Sequence, residues 1–138
     1  MQNRFIRLSV LCLFNVLICG GAFAADGDYL FDTLKKPAYR KAWNVMLAGE
    51  KNIPAWLTIF SKTYNGVASP VKAVSVGGKA YLSGYVCKPH DCAENALQVF
   101  FSENAASAVA LIRQDGKARY LGGPDAAIKA ALDREIGE

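Results

Sequence analysis

The chain has 138 residues, with 16 Lys and Arg against 12 Asp and Glu, and a formal charge of +4 with its one histidine neutral. Two of the cations, Arg4 and Arg7, sit in an N-terminal segment with export character, and without them the charge is +2. No run of like charges appears elsewhere, so composition argues against nucleic acid as a partner.

The first 24 residues read as a secretory signal. Arg4 and Arg7 come first, then an apolar run from Leu8 to Cys19, then Ala22-Phe23-Ala24 as a small-x-small cleavage site. The apolar run is about twelve residues, short for a bilayer span. Cys12 follows Leu11 and Cys19 follows Ile18, which does not suit lipid attachment. Cleavage after Ala24 would leave 114 residues, residues 25–138, enough for one domain around one core and with no membrane segment. It also removes two of the four cysteines. Cys87 and Cys92 remain, in a compartment that oxidises thiols, and they are predicted to form a disulfide.

Along the mature chain, Tyr29, Leu30, Phe31 and Leu34 suggest one short helix. Pro37 suits the first turn of a second, in which Tyr39, Ala42, Trp43, Met46 and Leu47 recur at three and four residues and Gly49 marks the end. The segment Asn52 to Trp56 reads as a turn leading into irregular chain. A strand is then predicted around Val71 to Val76, starting at Pro70 or lying at an edge because proline lacks a ladder donor. Gly77-Gly78 signals a tight hairpin turn, with Tyr81 to Cys87 as the return strand. Two more β segments follow, Ala96 to Glu103 and Ser107 to Gly122, the second folded on itself at Asp115-Gly116. Pro124 and Asp125 open a last helix carrying Ala127, Ile128, Ala131, Leu132 and Glu135 at helical spacing. The order predicts an α+β domain, a central antiparallel sheet of about five strands flanked by helices. Trp43, Trp56 and Val99 to Phe101 are expected in the core.

Between two of these strands lies "CKPHDC", Cys87 to Cys92, which holds the only histidine. Catalysis by His90 would need a nucleophile, and two bonded cysteines cannot serve. No Gly-x-Ser-x-Gly and no phosphate-cradling loop appears, so no enzyme activity and no cofactor is expected. A zinc site would draw on a second Cys or His pair, and none remains. Thiol-disulfide exchange through Cys87 and Cys92 stays open, although exchange sites place two residues between the cysteines and here there are four. So do a plain stapled hairpin and a rigid binding tip. The small ring restricts the loop before any partner arrives, worth about 2 kcal/mol through the unfolded chain, and Pro89 fixes a further φ angle.

The same six residues resemble the signature loop of the Ivy family, periplasmic inhibitors of vertebrate lysozyme. "IPAW" at Ile53 to Trp56 and "LGGPDAAIKAAL" at Leu121 to Leu132 are similar to segments on either side of the loop in that family. The resemblance implies a protruding loop of Cys87, Lys88, Pro89, His90, Asp91 and Cys92 that enters the active-site cleft of a C-type lysozyme with His90 against the catalytic carboxylates. It implies a periplasmic location. Lys88 and Asp91 would add polar contacts, and Asp91, Glu94 and Glu103 would be the local acids facing a basic enzyme. Endogenous lytic transglycosylases are the alternative target for the same loop, and homo-oligomer formation is left open.

Overall fold

A computed structural model describes residues 27–136, so the predicted signal segment lies outside the described residues. The chain begins with α1 (Leu30–Thr33), α2 (Pro37–Ala48) and α3 (Ala55–Thr63). The strands follow as β1 (Val67–Ala68), β2 (Lys72–Val76), β3 (Lys79–Cys87), β4 (Ala96–Ser102), β5 (Ala108–Gln114) and β6 (Lys117–Leu121). α4 (Ala126–Glu135) closes the domain.

All strand pairings are antiparallel, in the order β1-β3-β4-β5-β6, with β2 also on β3. β1 and β2 share one edge of β3. β1 meets Val86 and Cys87, whereas β2 meets Lys79 to Ser83. Pro70 sits in the gap between them, an edge position where the ladder needs no N–H. Gly77-Gly78 and Asp115-Gly116 both turn with two positive φ angles, 58° and 76°, then 50° and 73°. That is the backbone of tight hairpins whose twist matches their strands.

β4 is the strand on which the layers meet. Its residues from Ala96 to Phe101 are all buried, because both of its faces are covered. Leu97, Val99 and Phe101 face the three N-terminal helices, packing with Leu30, Trp43, Met46, Leu57 and Phe60. Ala96 and Phe100 face α4, with Leu111, Ala131 and Leu132. Trp43 anchors the first layer. It is fully buried, meets Phe60 edge-on at 6.0 Å, and donates from its indole nitrogen to Ser61 Oγ at 3.0 Å. The predicted α2 ends one residue before Gly49, as its spacing implied. α4 is capped by Asp125, whose side chain accepts from the Ile128 N–H at 2.9 Å.

One segment departs from expectation. The stretch after Asn52 is not irregular: residues 55–63 form α3, with the Pro54 carbonyl accepting the N–H groups of Leu57 and Thr58. Pro54 ends the preceding turn and opens the helix, and Leu57 and Phe60 turn inward three residues apart. Two inward positions in nine residues are too sparse a pattern to distinguish helix from loop. Trp56 is only partly buried and its indole nitrogen is enclosed without a partner, so it flanks the core that Trp43 occupies.

Trp43→Ala should destabilise the domain by about 3–5 kcal/mol in denaturant titration followed by circular dichroism. A loss below about 1 kcal/mol would show that the helical layer does not share the core with the sheet.

Candidate protein-binding loop

β3 ends at Cys87 and β4 begins at Ala96, and these two residues pair directly across the ladder. The eight residues between them form the loop. Cys87 is buried against the α4 side of the sheet, and its disulfide to half-buried Cys92 brings the two Cα atoms to 4.9 Å. The predicted bond is therefore present, and the cysteines hold the base of the loop closed.

Within the ring the chain makes a four-residue turn. The Asp91 N–H donates to the Lys88 carbonyl at 3.1 Å, with Pro89 and His90 at the two central positions. Proline presets φ for the first of these. His90 then takes a left-handed φ of 65°. Proline followed by a positive-φ residue is the pattern of a type II turn, whose third position favours glycine. A side chain there costs roughly 1–2 kcal/mol, although His is among the residues enriched in this region. Pro89 and His90 are both exposed, so the imidazole stands at the solvent end of a turn that would be more relaxed without it.

The flanking residues are held firmly. Lys88 Nζ bonds to Asp91 Oδ2 at 2.8 Å, an ion pair that spans the turn. Asn95 Nδ2 donates to the same oxygen at 2.9 Å. The hydrogen bond from Lys88, and then that from Asn95, hold the Asp91 carboxyl below its ordinary range. The same hydrogen bond and the charge of Asp91 push the Lys88 ammonium upward. Lys88 and Asp91 are thus engaged with each other in the free protein.

The acids expected around the loop are only partly assembled. Glu94 is exposed within it, but Glu103 lies beyond the far end of β4. At about 3.3 Å per residue that is on the order of 20 Å away. Asp115 stands near in its place, because β5 pairs with β4 so that Arg113 lies opposite Ala96 and the β5–β6 turn reaches the loop. The Asp115 N–H donates to Asn95 Oδ1 at 3.3 Å, and the Gly116 N–H to the Glu94 carbonyl at 3.2 Å.

Behind the loop the sheet face is open past the end of α4, in a groove of about 550 Å³ that includes Ser83, Tyr85, Gln98, Arg113 and Glu135. Its buried polar groups satisfy one another. Gln98 Nε2 donates to Ser83 Oγ at 2.7 Å. The exposed Lys72 pairs with Glu135 at 2.9 Å. Burial raises the Tyr85 phenol, with Arg113 opposing. Among the described residues no group of three or more His, Cys, Asp or Glu is placed to hold a metal, and no helix is long and apolar enough to cross a membrane.

The described residues thus form a small three-layer α+β domain carrying one cystine-closed turn, and comparison with known proteins identifies its family. Residues 38–135 match the family described as Inhibitor of vertebrate lysozyme (Ivy), so the chain belongs to the Ivy family. It is 35% identical over 111 residues to the inhibitor of vertebrate lysozyme of Pseudomonas aeruginosa, covering 80% of this chain and 70% of that protein. To the protein of the same name from Escherichia coli K12 it is 30% identical over 90 residues, 65% of this chain and 54% of the relative. An uncharacterised Pseudomonas aeruginosa protein is 30% identical over an alignment of 146 positions, covering 90% of this chain and 92% of its own length.

The Asp91 carboxyl has a depressed value in the folded protein, so its contribution is complete above the ordinary carboxylate range and is lost as pH falls through the depressed value. In an NMR pH titration, the side-chain carboxyl carbon signal of Asp91 should move with a midpoint below the ordinary Asp value of about 3.9. A midpoint at the ordinary value would show that the Lys88–Asp91 and Asn95–Asp91 bonds do not hold in solution.

Proposed function

We propose that this protein inhibits a C-type lysozyme by inserting the Cys87–Cys92 loop into the active-site cleft, with His90 between the two catalytic carboxyl groups. The observation that carries the reading is the exposed imidazole of His90 at the left-handed apex of a turn closed by a disulfide. A side chain kept in a strained backbone position by its surroundings points to a use for that side chain.

The chemistry of the target fits such a tip. Lysozyme is a retaining glycosidase, whose two carboxyl groups stand about 5 Å apart, one protonated and one ionised. An imidazole presents nitrogens on two edges, and each can reach a carboxyl oxygen at about 2.8 Å. One ring can therefore bridge both groups in the place of the scissile sugar bond. Pro89 keeps the tip narrow. The closed ring lowers the entropy lost on docking, which favours a slow off-rate. The block is competitive occlusion, with no turnover, no covalent bond and no cofactor.

Lys88 and Asp91 contribute differently from two free charges. Because they pair within the turn, they meet the cleft as a preformed dipole, and Asp91 does not arrive as an unpaired carboxylate beside the enzyme's own. Like charges there would oppose binding. The membership in a lysozyme-inhibitor family and the disulfide both support this reading. The setting that fits it is the periplasm, reached through the segment of residues 1–24 and cleavage after Ala24, where the protein would shield peptidoglycan from host enzyme.

Titration into a C-type lysozyme cell-wall lysis assay tests the proposal, with His90→Ala and His90→Gly beside the wild type. Both variants should lose about 2–4 kcal/mol of inhibition, roughly 30- to 1,000-fold. His90→Gly should at the same time melt no lower than the wild type, since glycine accepts the left-handed φ. Unchanged inhibition by either variant would remove His90 from the mechanism. Inhibition of a lytic transglycosylase with none of lysozyme would move the target.

A further inference from the structure

Asn95 closes the loop from inside the protein. It is only 3% exposed. Its backbone ties both ends of the turn: the Lys88 N–H donates to its carbonyl at 3.0 Å, and its own N–H donates to the Asp91 carbonyl at 3.0 Å. Its side chain reaches in two directions. Nδ2 donates to Asp91 Oδ2 at 2.9 Å and lies 3.4 Å from Asp115 Oδ1, while Oδ1 accepts the Asp115 N–H at 3.3 Å. The Gly116 N–H adds a further tie, to the Glu94 carbonyl at 3.2 Å.

The disulfide fixes residues 87 and 92 and leaves four residues between them. Nothing in the cystine itself holds His90 at positive φ, which an ordinary side chain leaves when its neighbours are free to move. The residue after the histidine must also be fixed. Asp91 is the residue fixed, through its backbone to Lys88 and Asn95 and through its carboxylate to both side chains.

We infer that Asn95 is a positioning residue for the inhibitory loop, tying Asp91 to the β5–β6 turn and so holding His90 outward at its left-handed apex. The inference rests on the reading of the loop given above. It makes the Asp115-Gly116 turn a working part of the inhibitor, although Asn95 is too deeply buried to touch a partner. The loop then has two independent braces, the cystine on one side and this hydrogen-bonded tie on the other. If Asn95 serves only the packing of the hairpin, its removal lowers the melting temperature and leaves the affinity of the folded protein alone.

The test uses the mature protein as wild type, Asn95→Ala, Asp115→Asn, the Cys87→Ser/Cys92→Ser pair, and that pair combined with Asn95→Ala. Rates of association and release from a C-type lysozyme are measured at a temperature where each variant is folded, with amide hydrogen exchange of residues 88–94 in the free protein. Asn95→Ala should release the enzyme about tenfold faster or more with little change in association rate, and its loop amides should exchange faster. Asp115→Asn, which keeps an oxygen for Asn95 and the same backbone N–H, should leave release at the wild-type rate. The combined variant should lose more than the product of the two separate losses, because either brace alone still limits the loop. Wild-type binding with unchanged release and unchanged loop exchange in Asn95→Ala overturns the inference. A wild type that binds no lysozyme overturns the reading of the loop instead, and the role of Asn95 in inhibition falls with it. In that case the exchange data still decide the brace: unchanged exchange in Asn95→Ala refutes it.

Discussion

The register that pairs Cys87 with Ala96 governs the rest of the molecule. Side chains alternate faces along a strand, so a slip of one residue would exchange the two faces of β4. Leu97, Val99 and Phe101 would turn from the three N-terminal helices toward α4, and the amide of Gln98 would enter the larger core. Both faces are buried, so the penalty for a slip is high. The same register fixes where the sheet stops and the eight-residue loop starts. It places the Cys87 side chain on the α4 side, from which the bond to Cys92 is made. On the other edge of β4, the pairing of Ala96 with Arg113 brings the β5–β6 turn against the loop. A choice made by hydrophobic burial in the core thus determines what the surface can present.

At the loop the balance reverses. The core residues occupy positions that suit them, whereas His90 sits where glycine would be easier. The strain is local and modest, on the order of 1–2 kcal/mol. It is sustained by a disulfide, a proline, an ion pair across the turn and the bonds of Asn95. Such concentrated restraint around one exposed side chain is what a binding tip requires, since freedom removed before docking is not lost on docking. Thiol exchange, open from the sequence, fits the loop less well. Cys87 is buried at the end of a strand, and Cys92 lies within a turn rather than at a helix N-terminus that would stabilise a thiolate.

Much of this was legible from the residues. The hairpins at Gly77-Gly78 and Asp115-Gly116 followed from turn chemistry, and α2 and α4 from spacing and caps. The apolar run Val99 to Phe101 pointed to the core of the sheet, and the cysteine count identified the disulfide. What escaped depended on tertiary placement. α3 shows only Leu57 and Phe60 inward, and its identity as a helix is set by the core it joins. The tie between Asn95 and Asp115 joins residues twenty apart, and no local pattern reveals that they meet. Glu103 was grouped with the loop by nearness in sequence, yet the length of β4 carries it away. The left-handed φ of His90 lay hidden because the Pro-x pattern normally flags glycine or asparagine at that position.

The central claim is that the imidazole tip occupies the place of the substrate in a lysozyme cleft. Competition with a soluble chitin oligosaccharide that fills that cleft tests it most directly. Binding of the protein to a C-type lysozyme is followed by calorimetry at rising oligosaccharide concentration, and its apparent association constant should fall in proportion to the fraction of cleft left free. Undiminished affinity with the cleft saturated would show that the protein binds elsewhere on the enzyme, and the account would fail.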